Sequence, residues 1–212
     1  MLPRYPDYDV LRKRQGPSWN EPSRQVVAQR LALRNEAGFF NPTQWHTLQA
    51  VCERIVPQPD DRPSVPLAAM VEQKISHGSD GYRDSRLPSL QVAWIRALDA
   101  LDLTAEQQHQ QPFTQLRAAQ QDELLTAMQR DELSGPAWQG MSAALCFQQR
   151  LLHDICAAYY SHPTAWNELG FGGPASPRGY VRLAENSRDG WEAAQARPGD
   201  NNQARKLNRH VR

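Results

Sequence analysis

The sequence reads as all-α: an irregular helical bundle of about five to seven helices, with extended coil arms at both ends. Two observations carry this reading. Ala and Gln are abundant while Val, Ile and Thr together are scarce, which favours helix over sheet. Apolar residues recur three and four positions apart in several separated windows, whereas residues 1–22 and 184–212 hold few aliphatic side chains. Those ends explain an apolar fraction of only 40% and a mean hydropathy of -0.71. The chain divides accordingly into an N-terminal arm with a short helix (1–35), a helical body (36–160), an aromatic Gly/Pro-rich coil (161–183) and a polar tail (184–212).

The elements follow in order. Asn41-Pro42-Thr43-Gln44 is a helix start, with Asn41 as N-cap, Pro42 in the first helical position and Gln44 placed to reach back. Phe40 and Trp45 are spaced for a hydrophobic staple. Trp45, Leu48, Cys52 and Ile55 then share one face, and Pro57 stops the helix. Residues 57–66 hold four prolines and form a stiff loop. A short helix carries Leu67, Met70, Val71 and Ile75 as far as Gly78, and residues 78–86 are a polar loop. Pro88 opens a helix with Leu90, Trp94, Ala97, Leu98 and Leu101 on one face, and Thr104 caps a separate turn with Gln107. Residues 113–133 read as one turn and a helix carrying Leu116, Leu124, Leu125 and Met128, ended by Gly135-Pro136. The longest helix, about 141–160, has two adjacent apolar stripes: Ala144, Phe147, Leu151 and Ile155, then Leu145, Leu152, Cys156 and Tyr159. Arg150 and Asp154 fall on its polar side.

Composition excludes several classes. At 212 residues the chain can bury a sizeable core. A net charge of +1 supplies no basic stripe, so nucleic acid is not an expected partner. No run of 18 apolar residues exists, so direct membrane insertion is not expected. No apolar stretch follows Arg12, Lys13 and Arg14, so no signal peptide is read there. The expected compartment is the cytoplasm, or the periplasm if a partner carries an export signal. Cys52, Cys146 and Cys156 are odd in number and sit in helical apolar patterns, as buried free thiols do.

The candidate chemistry is thin. Gly170-Phe171-Gly172-Gly173-Pro174-Ala175 fits G-x-G-x-x-A, but a dinucleotide turn follows a strand, and here a helix precedes. Pro174 also lacks an N–H to offer phosphate. His153, Asp154 and His162 have no zinc-ligand spacing, although a helical enzyme built on them is the rival reading. Asp60-Asp61 and Asp122-Glu123 read as solvated charge, and no G-x-S-x-G occurs. Catalytic, cofactor-binding and metal-binding residues are therefore expected to be none.

Tyr159 to Tyr180 stands out. Tyr159, Tyr160, Trp166, Phe171 and Tyr180 are spread through glycine and proline, a composition that predicts neither regular helix nor sheet, nor a disordered tail. These rings either pack on the chain's own core or form an arm that packs on a partner, where Trp, Tyr and Arg concentrate binding energy. The N-terminus, with Tyr5, Tyr8 and Trp19 among prolines, reads as a disordered end or a partner-bound arm. The candidate partner interface is Tyr5, Tyr8, Trp19, Tyr160, His162, Trp166, Phe171, Arg178 and Tyr180.

Over about residues 36–182 the sequence resembles the gluconate 2-dehydrogenase subunit 3 family. The resemblance rests on Phe39-Phe40 before the Trp45 helix, Ile55-Val56-Pro57 with Asp60-Asp61, the Leu87–Leu101 helix, and Phe113 with Leu124-Leu125. Its specific part is Tyr159-Tyr160-Ser161-His162-Pro163-Thr164-Ala165-Trp166 followed by Leu169-Gly170-Phe171-Gly172-Gly173. The resemblance implies a small accessory subunit whose partner is a glucose-methanol-choline type flavoprotein carrying FAD, often completed by a cytochrome c subunit. It implies help with folding, stability or export of that partner, no catalytic residue and no cofactor on this chain. Many members begin with a twin-arginine export signal, from which this sequence departs. An interaction module without a flavoprotein partner is the other alternative.

Overall fold

The computed structural model describes residues 4–60, 62–78, 84–182, 184 and 187–211. Its helices are α1 Glu21–Ala32, α2 Pro42–Ile55, α3 Leu67–His77, α4 Leu90–His109, α5 Ala118–Gln129, α6 Ala143–Cys146, α7 His153–Tyr160, α8 Pro163–Leu169 and α9 Asn201–Arg209. A π-helical segment, Phe147–Leu152, joins α6 to α7. Among the described residues there is no sheet, only one isolated bridge between Trp19 and Ser176. The chain is all-α, as its composition predicts. It forms two compact units, one of Leu33–Tyr159 and one that joins Met1–Ala32 to Tyr160–Arg212.

The 33–159 unit is built around α4, which packs on α2, α3 and the π-helical segment. Asn41 caps α2 as the sequence predicts. Its side chain accepts the Gln44 N–H at 2.9 Å, and the Gln44 side chain accepts the Asn41 N–H at 3.2 Å. Trp94, Ala97, Leu98 and Leu101 of α4 are buried with Leu48 and Val51 of α2, Ile75 of α3 and Met128 of α5. Two expectations need correction. First, α4 does not end near Leu101. Thr104 lies inside it and donates its hydroxyl proton to the Ala100 carbonyl at 2.6 Å, so no turn begins there. Second, Arg150 and Asp154 are buried rather than on an outer face, whereas Leu152 is exposed and Cys156 half-buried. The buried positions 143, 147, 151 and 155, with 146, 150 and 154, repeat every four residues. On a 3.6-residue helix a four-residue repeat drifts about 40° per step. The wider π turn removes that drift and keeps both rows inward.

The other unit corrects the picture of free arms. Residues 4–32 and 160–211 fold against each other around Tyr8, Val10, Trp19, Val27, Trp166, Ala193 and Val211, with Tyr5 and Leu11 packed against them. The N-terminal stretch makes a 3-10 helix, Val10–Gln15, capped by Asp9. The 161–183 coil contains α8. Pro163 occupies its first position, the His162 side chain caps its start, and Gly170 in the left-handed region ends it. The polar tail contains α9, anchored by buried Asn208. The Asn208 amide donates to the carbonyls of Pro6 at 2.8 Å and Ala194 at 3.0 Å and accepts the Ala194 N–H at 2.6 Å. Asp7 pairs with Arg209 at 2.7 Å. The two ends therefore supply each other's missing core, with side-chain bonds where aliphatic residues are few. Charge separates with the units. Residues 1–32 and 160–212 hold 14 Lys/Arg against 8 Asp/Glu, and residues 33–159 hold 10 against 15.

Candidate functional site

Asp154, the most promising acid in the sequence, is tied up structurally. Its carboxylate lies under α4 and accepts the Trp94 Nε1–H at 2.9 Å and a Lys74 Nζ proton at 2.5 Å, with His153 Nδ1 at 3.1 Å. His153 itself is exposed. His162 is buried, and its Nδ1 accepts the Thr164 N–H at 3.3 Å to cap α8. Burial and the nearby Arg30 charge hold the His162 pKa below its ordinary value. Among the described residues no three His, Cys, Asp or Glu side chains cluster as a metal site would require. Burial pushes the thiols of Cys52 and Cys146 up, the latter to about 12, which keeps them protonated. Asp61, half of one acidic pair, lies outside the described residues.

The Gly170–Gly173 run is packed against by side chains of the N-terminal stretch. A Cβ on Gly170 would sit 2.5 Å from the Tyr5 ring, and one on Gly173 would sit 2.8 Å from Val10 Cγ2. Both glycines have positive φ, 67° and 72°. The carbonyl of Gly172 faces Lys13, which is fully buried. Lys13 Nζ donates to Gly172 O and to Trp191 O and lies 5.5 Å from the Tyr8 ring centroid and 5.2 Å from that of Trp191. Burial, with the Arg178 charge nearby, lowers its pKa to about 8. The loop is thus shaped by rings and a lysine from the N-terminal stretch, which a motif read on its own does not reveal.

The nine candidate interface residues separate by burial. Tyr8, Trp19, His162 and Trp166 are buried, facing the core of their own unit, and Tyr5 is half-buried against that core. Tyr160, Phe171 and Tyr180 are exposed, and Arg178 is half-buried. The aromatics form a row. Trp166 meets Phe171 edge-on at 5.7 Å, Phe171 stacks on Tyr180 at 6.4 Å, and Tyr180 meets Trp191 at 5.0 Å. Arg178 closes the row, its guanidinium 3.9 Å above the Trp191 ring. Leu169 and Val181 are exposed as well.

Beside this row runs a groove of about 390 Å³, with Val27 and Trp166 as its floor. Pro22 and Val26 form one wall, Phe171 and Pro174 the other, and Arg30 stands at the rim. The Arg30 guanidinium donates to the Ser161 carbonyl at 2.7 Å. The short helix expected within residues 1–35 is α1, but the sequence does not mark its apolar wall, because adjacent valines, one buried and one exposed, form no helical stripe. The distinctive surface is therefore apolar and aromatic, on an all-α protein whose buried ionisable groups serve the fold. Over residues 42–173, more than half of the chain, the sequence matches the family model of gluconate 2-dehydrogenase subunit 3, and the chain belongs to that family. Neither a curated protein nor a solved structure matches it. The family is named for a subunit of a dehydrogenase. No described helix is long and apolar enough to cross a membrane.

Proposed function

We propose that this chain is the non-catalytic small subunit of a flavin-dependent sugar or sugar-acid dehydrogenase, and that it stabilises the FAD-carrying catalytic subunit or assists its maturation. The family match over residues 42–173 carries this reading. The exposed row at Phe171 and Tyr180 supports it, because partner contacts concentrate binding energy in such rings. On this reading the FAD belongs to a glucose-methanol-choline type partner, a cytochrome c subunit completes the complex, and the compartment follows the partner's export signal. The test is co-expression with a glucose-methanol-choline type flavoprotein from the same genome. The expected result is one co-eluting complex and a larger soluble, FAD-loaded fraction of the flavoprotein than it reaches alone. Separate elution together with an unchanged FAD-loaded fraction overturns the proposal.

A further inference from the structure

The groove between α1 and the Phe171–Pro174 segment has a shape and a charge that narrow what it takes. We propose that it is the anchor site for the partner subunit, receiving one large apolar side chain from an acidic patch of that protein. The inference rests on the reading of this chain as an accessory subunit. It goes beyond that reading by naming the surface and the chemistry of what docks there.

Three observations carry it. Val26 and Phe171 both line the groove and are each 44% exposed, so apolar surface stands open above a buried floor. A small-molecule site of this size has several converging polar groups. Here the lining offers two polar side chains, the Ser23 hydroxyl and the Arg30 guanidinium, the latter already donating to Ser161 O. A side chain of a protein needs no such polar set, because its backbone stays on its own subunit. Charge then selects the kind of protein. Arg30 at the groove rim and Arg178 at the end of the aromatic row have no carboxylate within ion-pair distance among the described residues. Arg24, nearly two turns before Arg30 on α1, has Glu21 at 3.0 Å. The unit that carries the groove has an excess of Lys and Arg over Asp and Glu. An acidic surface fits those cations, while a second copy of the same basic unit would bring like charges together. The wall from Pro22 to Arg30 also lies outside the matched span of 42–173, so the groove joins a family segment to one that the match does not cover.

The experiment measures capture of that glucose-methanol-choline type flavoprotein by the full-length chain at 50 and 300 mM NaCl. The substitution is Val26→Asp, which adds a carboxylate to an exposed wall, with Val26→Gln as a second, uncharged version. Leu103→Asp, at an exposed leucine of α4, is the control. Circular dichroism confirms that each variant keeps its helix content. The expected result is at least about a tenfold loss of affinity for both Val26 variants, the size of a central contact, with the control within about twofold of wild type. Wild-type binding weakens on going to high salt, and Arg178→Gln flattens that dependence. Wild-type capture that survives both Val26 changes undiminished overturns the anchor site and leaves the accessory-subunit reading standing. Salt-independent wild-type binding overturns the acidic occupant. A wild-type homodimer that Val26→Asp dissolves assigns the groove to a second copy and overturns the proposal. No wild-type capture at all, by contrast, refutes the accessory-subunit reading itself.

Discussion

Trp166, a candidate interface residue in the sequence, lies in the core of its own unit, so its truncation separates the two roles. Its side chain is 5% exposed, its Nε1–H donates to the Tyr160 carbonyl at 2.7 Å, and its ring meets Phe171 edge-on at 5.7 Å. A buried tryptophan removes about 150–250 Å² from water, worth about 4–6 kcal/mol at 25 cal/mol per Å² as an upper bound. Measured truncations of buried Trp run at about 3–5 kcal/mol. We take about 4 kcal/mol for Trp166→Ala, which is about three decades in an opening equilibrium. Native-state hydrogen exchange reads it directly. The Val10 N–H is held by Asn167 Oδ1 at 2.8 Å and the Ala194 N–H by Asn208 Oδ1 at 2.6 Å, both within the core that Trp166 completes. Their protection should fall about a thousandfold, or to the floor set by that unit's total stability. Capture of the flavoprotein then falls in proportion to the loss of the folded unit. Protection within a factor of ten of wild type at both amides, with capture lost, would refute the core assignment and restore Trp166 to the interface.

Three further outcomes follow from the same unit. Gly173→Ala places a Cβ against Val10 in a left-handed backbone and should cost about 1–3 kcal/mol, read as a lower urea midpoint at unchanged slope. Lys13 has a folded pKa of about 8, below that of an unfolded lysine, so the unfolded chain binds the extra proton. Stability should rise from pH 8 toward pH 10 in wild type relative to Lys13→Met, and parallel urea midpoints for the two would contradict the buried amine. The folded pKa of His162 is likewise depressed. Its contribution is complete above the unfolded value of about 6.5 and is lost as pH falls below it, because protonation removes the Nδ1 acceptor that caps α8. His162→Asn keeps a capping acceptor and should flatten the denaturation midpoint between pH 7 and 5.

What could be read in the sequence was whatever depends on neighbours along the chain. The α2 start at Asn41 and Gln44 is complete within four residues, and the structure reproduces both bonds. The apolar faces of α3, α4 and α5 have helical spacing and are buried. What could not be read depends on partners far along the chain. The unit formed by the two ends is held by bonds such as Asn208 to Pro6 and Tyr8 to Phe171, which span 202 and 163 positions. Polar composition at each end, taken separately, describes a chain without a core, because the core exists only when the ends meet. The long helix shows a subtler limit. Its four-residue repeat is visible in the sequence, but only a π turn gives that repeat a single buried face, and an α-helical template places Arg150 and Asp154 outside.

The aromatic segment shows how one composition serves two purposes. A row of rings has two edges. Here the inner edge, at Trp166, closes a core that the terminal segments could not otherwise complete, while the outer edge, at Phe171 and Tyr180, is left in water. The glycines make both possible. Without a Cβ at Gly170 and Gly173, Tyr5 and Val10 press on the backbone from one side, and the loop is fixed by that pressure. Phe171, between the two glycines, stands exposed with its carbonyl held by the Tyr8 hydroxyl at 3.0 Å. A partner that binds this edge therefore meets a surface already ordered by the chain's own core, and the cost of immobilising a free arm does not arise. This changes the signature expected of assembly. An arm that folds on binding produces a large heat-capacity change and new helical signal, whereas a preformed edge produces a heat-capacity change set by the contact area alone. Titration calorimetry of the wild-type pair, with circular dichroism before and after mixing, decides between them. A gain of helix on mixing would show that the two ends fold on the partner, contrary to a unit closed by Trp166 and Asn208.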